Sequence, residues 1–199
     1  MTDSEAARRP VALAVFLIIA GAIGWFASFE LTVAKFDVLA DPQTSLSCDF
    51  SILVQCGTNL SSWQGSVFGF PNPILGLGGF AAPIAVGTAL MAGARFDRWF
   101  WAVFNVGVAG ALAFVIWLIT QSIFVLGVLC PWCMVVWAAT IPLFWVVTLR
   151  NLGSGVFGLP DRVRGFFAVA YGWVTVITFA SYLVVALVAQ LRLDVLSYL

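Results

Sequence analysis

The four cysteines are the residues of this sequence with the clearest capacity for chemistry. They form two close pairs: seven residues separate Cys48 from Cys56, and Cys130 and Cys133 belong to a Cys-Pro-Trp-Cys motif. The chain contains no histidine, which excludes histidine-ligated haem, Ser-His-Asp catalysis and imidazole acid–base chemistry. Any chemistry of this chain is therefore expected to be sulfur chemistry.

Composition sets the environment in which these thiols must act. Of the 199 residues, 62% are hydrophobic and 9% are charged, and the mean hydropathy is +1.06, a balance that excludes a water-soluble globular domain. Nine basic residues offset nine acidic ones, so no basic surplus favours a nucleic-acid partner. The sequence predicts an all-α membrane protein.

Charge-free apolar runs predict five membrane-spanning helices. Two long runs must be divided, one at the loop-like Pro71-Asn72-Pro73 and the other at Gly127 and Pro131. The predicted spans are 11–31, 73–93, 100–126, 131–149 and 166–190. The chain thus divides into a cytoplasmic tail (1–10), a four-helix bundle (11–149) whose first loop is 35–72, and a cytoplasmic loop with a fifth helix (150–199).

The basic residues predict the orientation of these spans. If five helices alternate, seven of the nine basic residues lie on the side of the amino terminus, and only Lys35 and Arg192 lie on the other side. Since cytoplasmic loops retain positive charge, we expect a cytoplasmic amino terminus and both cysteine pairs on the exoplasmic side. Disulfides form and persist there, whereas the cytosol keeps thiols reduced.

The second cysteine pair is predicted to open the fourth span. Pro131 suits the first turn of a helix, which places Cys130 at or next to the N-cap. Unpaired N–H groups and the helix dipole would stabilise a thiolate there. Cys133 lies one turn further along the same face, deeper in the membrane, so the pair could connect a water-side thiol exchanger to a lipid-soluble electron carrier.

Other interpretations of four exoplasmic cysteines stay open at this point. They could form two static structural disulfides in a non-catalytic membrane subunit or transporter, or bind one zinc ion through four thiolates. Transport, however, would favour ionisable residues within the spans, which have essentially none away from their ends.

The motifs together resemble the vitamin K epoxide reductase family, in its bacterial disulfide-forming branch. The resemblance covers roughly residues 11–149 and rests on the following segments: Ser47-Cys48-Asp49, the seven-residue spacing to Cys56, Ser61-Ser62-Trp63, Asn72-Pro73-Ile74-Leu75-Gly76 and Cys130-Pro131-Trp132-Cys133. The order of the pairs also fits the family, because the CxxC motif follows the spaced pair.

This resemblance implies a four-helix transmembrane bundle around a quinone, with the fifth helix as an addition found in bacterial members. It implies that Cys48 exchanges with a soluble exoplasmic thioredoxin-like dithiol protein, which we expect to be a separate chain. Cys56 would then attack Cys130, and Cys133 would pass electrons to menaquinone or ubiquinone, without a metal. The implied location is the bacterial inner membrane.

The resemblance also implies four quinone-pocket residues. Asn72 matches the family's pocket asparagine, Ser62 resembles its hydroxyl residue near the same site, Trp63 follows it, and Trp137 occupies the position of a ligand-binding tyrosine in vertebrate members. An indole offers only an N–H donor in a different place, and the segment from Trp63 to Asn72 is shorter than in vertebrate members. Quinone reduction coupled to disulfide formation is therefore favoured, with quinone or epoxide reduction by other thiols as the alternative.

Overall fold

The protein, described by a computed structural model over residues 11–198, is built from helices. In this range no strand forms, and five helices are long and apolar enough to cross a membrane. The predicted all-α membrane class is thereby confirmed. The tail 1–10, with the basic residues Arg8 and Arg9, lies outside the described residues.

The helices follow one another in a simple order. The long ones are α1 (Val11–Ala40), α3 (Asn72–Met91), α4 (Arg98–Thr120), α5 (Pro131–Gly153) and α7 (Val174–Leu193). Between α1 and α3 lie the short helix α2 (Gly57–Ser61) and a 3₁₀ turn (Trp63–Ser66), and α4 continues into a π turn (Gln121–Leu126). Helix α6 (Asp161–Gly172) precedes α7, and a last 3₁₀ turn covers Val195–Tyr198.

Helix α5 organises the bundle. It packs against α1, α4, α6 and α7, while α1 also packs closely along α3. Helices α1 and α3 approach closely because glycines lie where they meet. A Cβ atom added at Gly87 would lie 2.7 Å from the carbonyl oxygen of Ala14, and one at Gly21 would lie 2.7 Å from Ile84. Helices α1, α3, α4 and α5 thus form the predicted four-helix bundle, with α7 on the outer side of α5.

A buried polar network joins α4 to α5 at the end of the bundle away from the cysteines. The amide nitrogen of Asn151, which is fully buried, donates to the carbonyl oxygen of Trp101 and to Oδ1 of Asn105, both at 3.1 Å. Arg150 donates to Asn151 and lies over the ring of Trp101. These polar groups form hydrogen bonds with one another inside the apolar bundle. Because they are hydrogen-bonded, their burial costs little free energy.

Two predicted span boundaries were wrong. Helix α1 continues to Ala40 rather than ending near residue 31, because Lys35 is buried and donates to the carbonyl oxygen of Leu60 instead of opening the loop. The fifth span begins at Val174 rather than near residue 166, because the backbone leaves helical geometry at Trp173. The residues before it form the separate helix α6, which at 12 residues is too short to cross a bilayer.

Candidate functional site

The Cys-Pro-Trp-Cys motif begins α5 as predicted. Cys130 is the N-cap residue, Pro131 is the first helical residue, and the sulfur of Cys130 accepts a hydrogen bond from the backbone N–H of Cys133 at 3.3 Å. A cysteine here uses its sulfur as Ser or Asp uses its side-chain oxygen at other helix starts. The motif therefore fixes the Cys130 sulfur among N–H donors.

These donors change the acidity of Cys130. The pKa of its thiol is lowered from the ordinary value, chiefly by the hydrogen bond with the side chain of Cys133 and further by the N–H groups of Cys133 and Trp132. Burial acts in the opposite direction but does not cancel them. Cys130 is thus suited to be a leaving group or a nucleophile in thiol–disulfide exchange.

The first cysteine pair forms a disulfide, Cys48–Cys56, in the loop after α1. Asp49 holds this loop: one of its carboxylate oxygens accepts from the N–H groups of Cys56 at 2.7 Å and Gly57 at 3.2 Å, and the other accepts from Leu46 at 3.3 Å. Asp49 thereby caps the start of α2. Helix α2 begins at Gly57, directly after the disulfide.

A parallel β-bridge between Val54 and Leu129 joins the two cysteine-bearing loops. The N–H of Gln55 donates to the carbonyl oxygen of Leu129 at 2.9 Å, and the N–H of Leu129 donates to that of Leu53 at 2.8 Å. Gln55 and Leu129 each directly precede a cysteine. The bridge therefore aligns Cys56 with Cys130.

The two pairs meet sulfur to sulfur. The Sγ of Cys130 lies 3.4 Å from the Sγ of Cys56, while Cys130 and Cys133 are not bonded to each other. Cys56 and Cys130 are fully buried and Cys48 is 3% exposed, inside an apolar cluster with Leu31, Leu46 and Leu60. This state, with one disulfide facing a free thiol, differs from the two static disulfides of the structural alternative.

Cys133 lies in the wall of a cavity of about 510 Å³ between α1, α3, α4 and α5. This volume falls within the range of small-molecule sites, and the lining is mostly apolar with a few polar groups, as is usual for such sites. The polar side chains of the lining are Ser28, Asn59, Gln64, Asn72, Gln121, Ser122 and Thr140.

The predicted pocket residues lie in two places. Asn72 and Trp137 line the cavity, and both are buried. Ser62 and Trp63 are not in its lining: the Ser62 hydroxyl donates to the carbonyl oxygen of Asn59, and Trp63 is 67% exposed and contacts the ring of Trp117. A role for Ser62 and Trp63 in the pocket stays a prediction that this placement does not support.

Six of the seven polar residues of the cavity wall were not predicted as pocket residues, among them Asn59, Gln64 and Gln121. Asn59 belongs to α2, Gln64 to the 3₁₀ turn and Gln121 to the π turn, and all three line the cavity. Neither Asn59 nor Gln64 belongs to a periodic pattern, and Gln121 lies within the apolar span 100–126. The only available signal was their polarity next to apolar helices.

Among the described residues, one cluster has the residue types of a metal site but lacks the free thiolates that would bind a metal. Atoms of Cys48, Asp49 and Cys56 lie within 4.8 Å of one another. The two sulfurs are bonded to each other, however, so neither is a thiolate that could ligate a metal. In this state the group is a disulfide with a capping carboxylate.

The described chain has five apolar helices and two cysteine pairs that meet beside an apolar cavity. These features define a multi-pass membrane protein of the thiol–disulfide oxidoreductase class. A comparison with protein families agrees: the model of the Vitamin K epoxide reductase family matches residues 15–148, more than half of the chain. The chain therefore belongs to the Vitamin K epoxide reductase family. A search of individual curated proteins gave no match. Membership confirms the resemblance at the level of the family and indicates oxidoreductase activity.

Proposed function

We propose that this protein oxidises a soluble thioredoxin-like dithiol protein and passes the electron pair to a membrane quinone, which drives disulfide formation outside the cytoplasm. One observation carries the proposal: Cys130 lies 3.4 Å from the Cys48–Cys56 disulfide, and its partner Cys133 lies in the wall of an apolar cavity. The four sulfurs thus form a continuous path from a loop to the bundle interior.

The path works by disulfide exchange. The dithiol protein reduces Cys48–Cys56 and leaves as a disulfide. The Cys56 thiolate then attacks Cys130 of a Cys130–Cys133 disulfide and releases the Cys133 thiolate. The Cys48 thiolate attacks Cys56, which re-forms the loop disulfide and releases Cys130. Two electrons have then moved from the loop pair to the Cys130–Cys133 pair.

The structure matches the end of that exchange. The loop pair is a disulfide, and Cys130 and Cys133 are both free. A lowered pKa makes Cys130 a good leaving group when Cys48 attacks the mixed disulfide. The remaining step is oxidation of the Cys130–Cys133 dithiol to a disulfide, with loss of two electrons and two protons.

The volume of the cavity beside Cys133 and its mostly apolar lining suit the ring of a quinone. When bound, a quinone accepts the two electrons and two protons that the dithiol loses. The cavity places Cys133 and Trp137 on the α5 side and Asn72 on the α3 side, and its remaining wall is largely apolar. Menaquinone and ubiquinone both fit this description, and which of them acts is part of the test.

The proposed location follows from the same chemistry. Loop disulfides persist on the exoplasmic side of a bacterial inner membrane, where a separate thioredoxin-like protein would supply electrons. The exposed side chains of Phe50 and Ile52, 73% and 86% exposed in the loop that carries the disulfide, give such a protein an apolar contact beside Cys48. Reduction of a quinone epoxide by other thiols stays the alternative.

The first test follows quinone absorbance with the purified chain in detergent and a reduced thioredoxin-like protein as donor. Wild type is expected to consume the oxidised quinone, and Cys133→Ala is expected to lose this activity because the dithiol can no longer form a disulfide. Met134→Ala, on the same helix but outside the cavity lining, is the matched control and should stay close to wild type. Full turnover by Cys133→Ala would overturn the proposal, and adding a quinone epoxide to the same assay tests the alternative.

A second test sets the order of the sulfurs. The donor for this test has its second cysteine replaced and its remaining cysteine linked to thionitrobenzoate. With Cys56→Ala, the Cys48 thiolate should displace thionitrobenzoate and hold the donor as a mixed disulfide, because neither the donor nor the loop pair has a further thiol to release it. Mass spectrometry of the non-reduced complex identifies the linked cysteine. Capture of the donor on Cys130 instead would reverse the proposed order.

A further inference from the structure

Helix α5 contains a proline near its middle, and this proline frees one backbone carbonyl group. Pro142 lies inside the helix that runs from Pro131 to Gly153. Because proline has no N–H, the carbonyl oxygen of Ala138, four residues earlier, loses its partner within the helix. No water can replace that partner in the hydrocarbon region of a membrane, so a neighbouring helix must supply it.

Helix α7 supplies the missing hydrogen bond. The hydroxyl group of Tyr182 donates to the carbonyl oxygen of Ala138 at 2.6 Å. On the other side of the proline, the indole N–H of Trp145 donates to the hydroxyl oxygen of Ser181 at 3.1 Å. Two adjacent residues of α7 thus hold α5 both before and after Pro142.

The apolar packing of α7 also reaches the part of α5 that forms the cavity wall. Tyr182 packs against a buried cluster that contains Trp137 of α5 and Ala189 of α7. None of the described residues of α7 lines the cavity itself, whereas Cys133 and Trp137 do. Helix α7 therefore acts on the cavity indirectly, through the position of α5.

The two halves of α5 are held by different neighbours. The half after Pro142 is tied to α4, because the amide nitrogen of Asn151 donates to Oδ1 of Asn105. The half before Pro142 carries Cys133 and Trp137. A proline interrupts the hydrogen bonds of a helix and is a common point of bending. The angle between the two halves therefore depends on the hydrogen bond that α7 supplies.

Resting on the proposed function, we propose that Tyr182 is a positioning residue for quinone reduction. Its hydroxyl group replaces the hydrogen bond that Pro142 removes, and it thereby fixes the angle at which α5 presents Cys133 to the cavity. A small displacement of a reacting sulfur lowers the rate of its reaction, because the reactive geometry is then reached less often. The fifth helix thus contributes to catalysis although none of its described residues lines the cavity.

The test combines two substitutions and uses menadione, a naphthoquinone without a lipid tail, as the acceptor. Tyr182→Phe removes the hydroxyl group alone, and kcat for menadione reduction should fall roughly fivefold, which corresponds to about 1 kcal/mol. Pro142→Ala restores an N–H that can donate to the carbonyl oxygen of Ala138. In that background, Tyr182→Phe should change kcat by less than about twofold. Tyr171→Phe, which removes a hydroxyl group from α6, is the matched control and should behave as wild type.

Two further measurements separate positioning from a loss of folded protein. The amount of donor oxidised without quinone counts the intact molecules, and kcat is expressed per intact molecule. In a chain whose only cysteine is Cys133, N-ethylmaleimide should label this thiol roughly fivefold faster with Tyr182→Phe, because a looser α5 exposes it more often. Pro142→Ala should remove this increase.

The outcomes distinguish this inference from the proposed function. If wild type reduces quinone, an effect of Tyr182→Phe on kcat that is absent, or that is equal with Pro142 and with Ala at this position, overturns the inference alone. If wild type reduces neither menadione, menaquinone nor ubiquinone, the proposed function fails. The labelling rates of Cys133 then decide the inference by themselves, and equal rates with and without the Tyr182 hydroxyl group would overturn it.

Discussion

At the scale of single residues, the acidity of Cys130 favours its release in the exchange between the two pairs. In the mixed disulfide between Cys56 and Cys130, the attacking Cys48 thiolate expels Cys130, and a thiol of lower pKa leaves faster. The donors that lower the pKa of Cys130 come from its own motif, at Trp132 and Cys133. The N-cap position therefore favours movement of electrons toward the cavity.

This acidity can be titrated through the ultraviolet absorbance of the thiolate. In a Cys48→Ala/Cys56→Ala background, only Cys130 and Cys133 titrate as cysteines, and the first thiolate should form at a lower pH than that of an ordinary cysteine because the pKa of Cys130 is lowered. Adding Cys133→Ala removes the strongest of the donors that lower the pKa of Cys130, so the midpoint should move to higher pH. Adding Cys130→Ala instead should abolish the early step; its persistence would assign the acidic thiol to another residue.

At the scale of the elements, the glycines of the bundle have two different roles. Gly76-Leu77-Gly78-Gly79 in α3 and Gly107-Val108-Ala109-Gly110 in α4 are small-residue segments of the kind that allows close helix packing. Gly76 does contact α1, but a Cβ atom at Gly78, Gly79, Gly107 or Gly110 would meet nothing within 4 Å. Gly79 and Gly107 instead line the cavity, where a missing side chain leaves room for a ligand between α3 and α4.

Filling that room should block the quinone and leave the fold intact. Gly107→Leu adds a side chain into the cavity, and we expect the kcat/KM for quinone to fall roughly tenfold or more, since forcing extra methylenes into a filled site costs about 1–3 kcal/mol. Transfer from the donor to the cysteine pairs without quinone should be unaffected. Gly110→Leu, on the same helix but outside the cavity lining, is the matched control. Equal quinone kinetics in both variants would place the ligand elsewhere.

The elements were predictable from sequence to the extent that local signals define them. Long apolar runs gave all five spans, and Pro131 gave the start of α5, because both depend on neighbouring residues alone. The extension of α1 was missed because a lysine after an apolar run is typical of a loop, and the contact of Lys35 with Leu60 is not visible in the sequence. The bounds of α6 and α7 were missed because the apolar run continues across Trp173.

The cysteines of the candidate site could be predicted from the sequence, but the arrangement of the two pairs in space could not. Spacing and type indicated both cysteine pairs, while the bridge between Val54 and Leu129 joins segments about 75 residues apart and leaves no local pattern. The amides of Asn59 and Gln64 belong to short turns whose polar residues look like ordinary loop residues. Their significance comes only from what surrounds them in the folded chain.

At the scale of the whole molecule, five spans place the two ends of the bundle on opposite sides of the membrane. One end holds the meeting point of the cysteines, and the other holds the connections that carry Arg95, Arg98, Arg162 and Arg164. On the cysteine side, Lys35 is buried against Leu60, which leaves Arg192 as the exposed basic residue of that side among the described residues. The exposed basic residues of the described chain therefore lie mostly at the end of the bundle away from the cysteines.

The orientation that this asymmetry predicts can be measured in intact cells, because cytoplasmic loops retain positive charge. In a chain whose four cysteines are replaced by alanine, Gln43→Cys and Ser154→Cys place single thiols on exposed residues at opposite ends of the bundle. A membrane-impermeant maleimide should label the first variant from outside and the second only after lysis. The reverse pattern would put Cys48–Cys56 in the reducing cytosol, where the loop disulfide could not be maintained, and would contradict a role in exoplasmic disulfide formation.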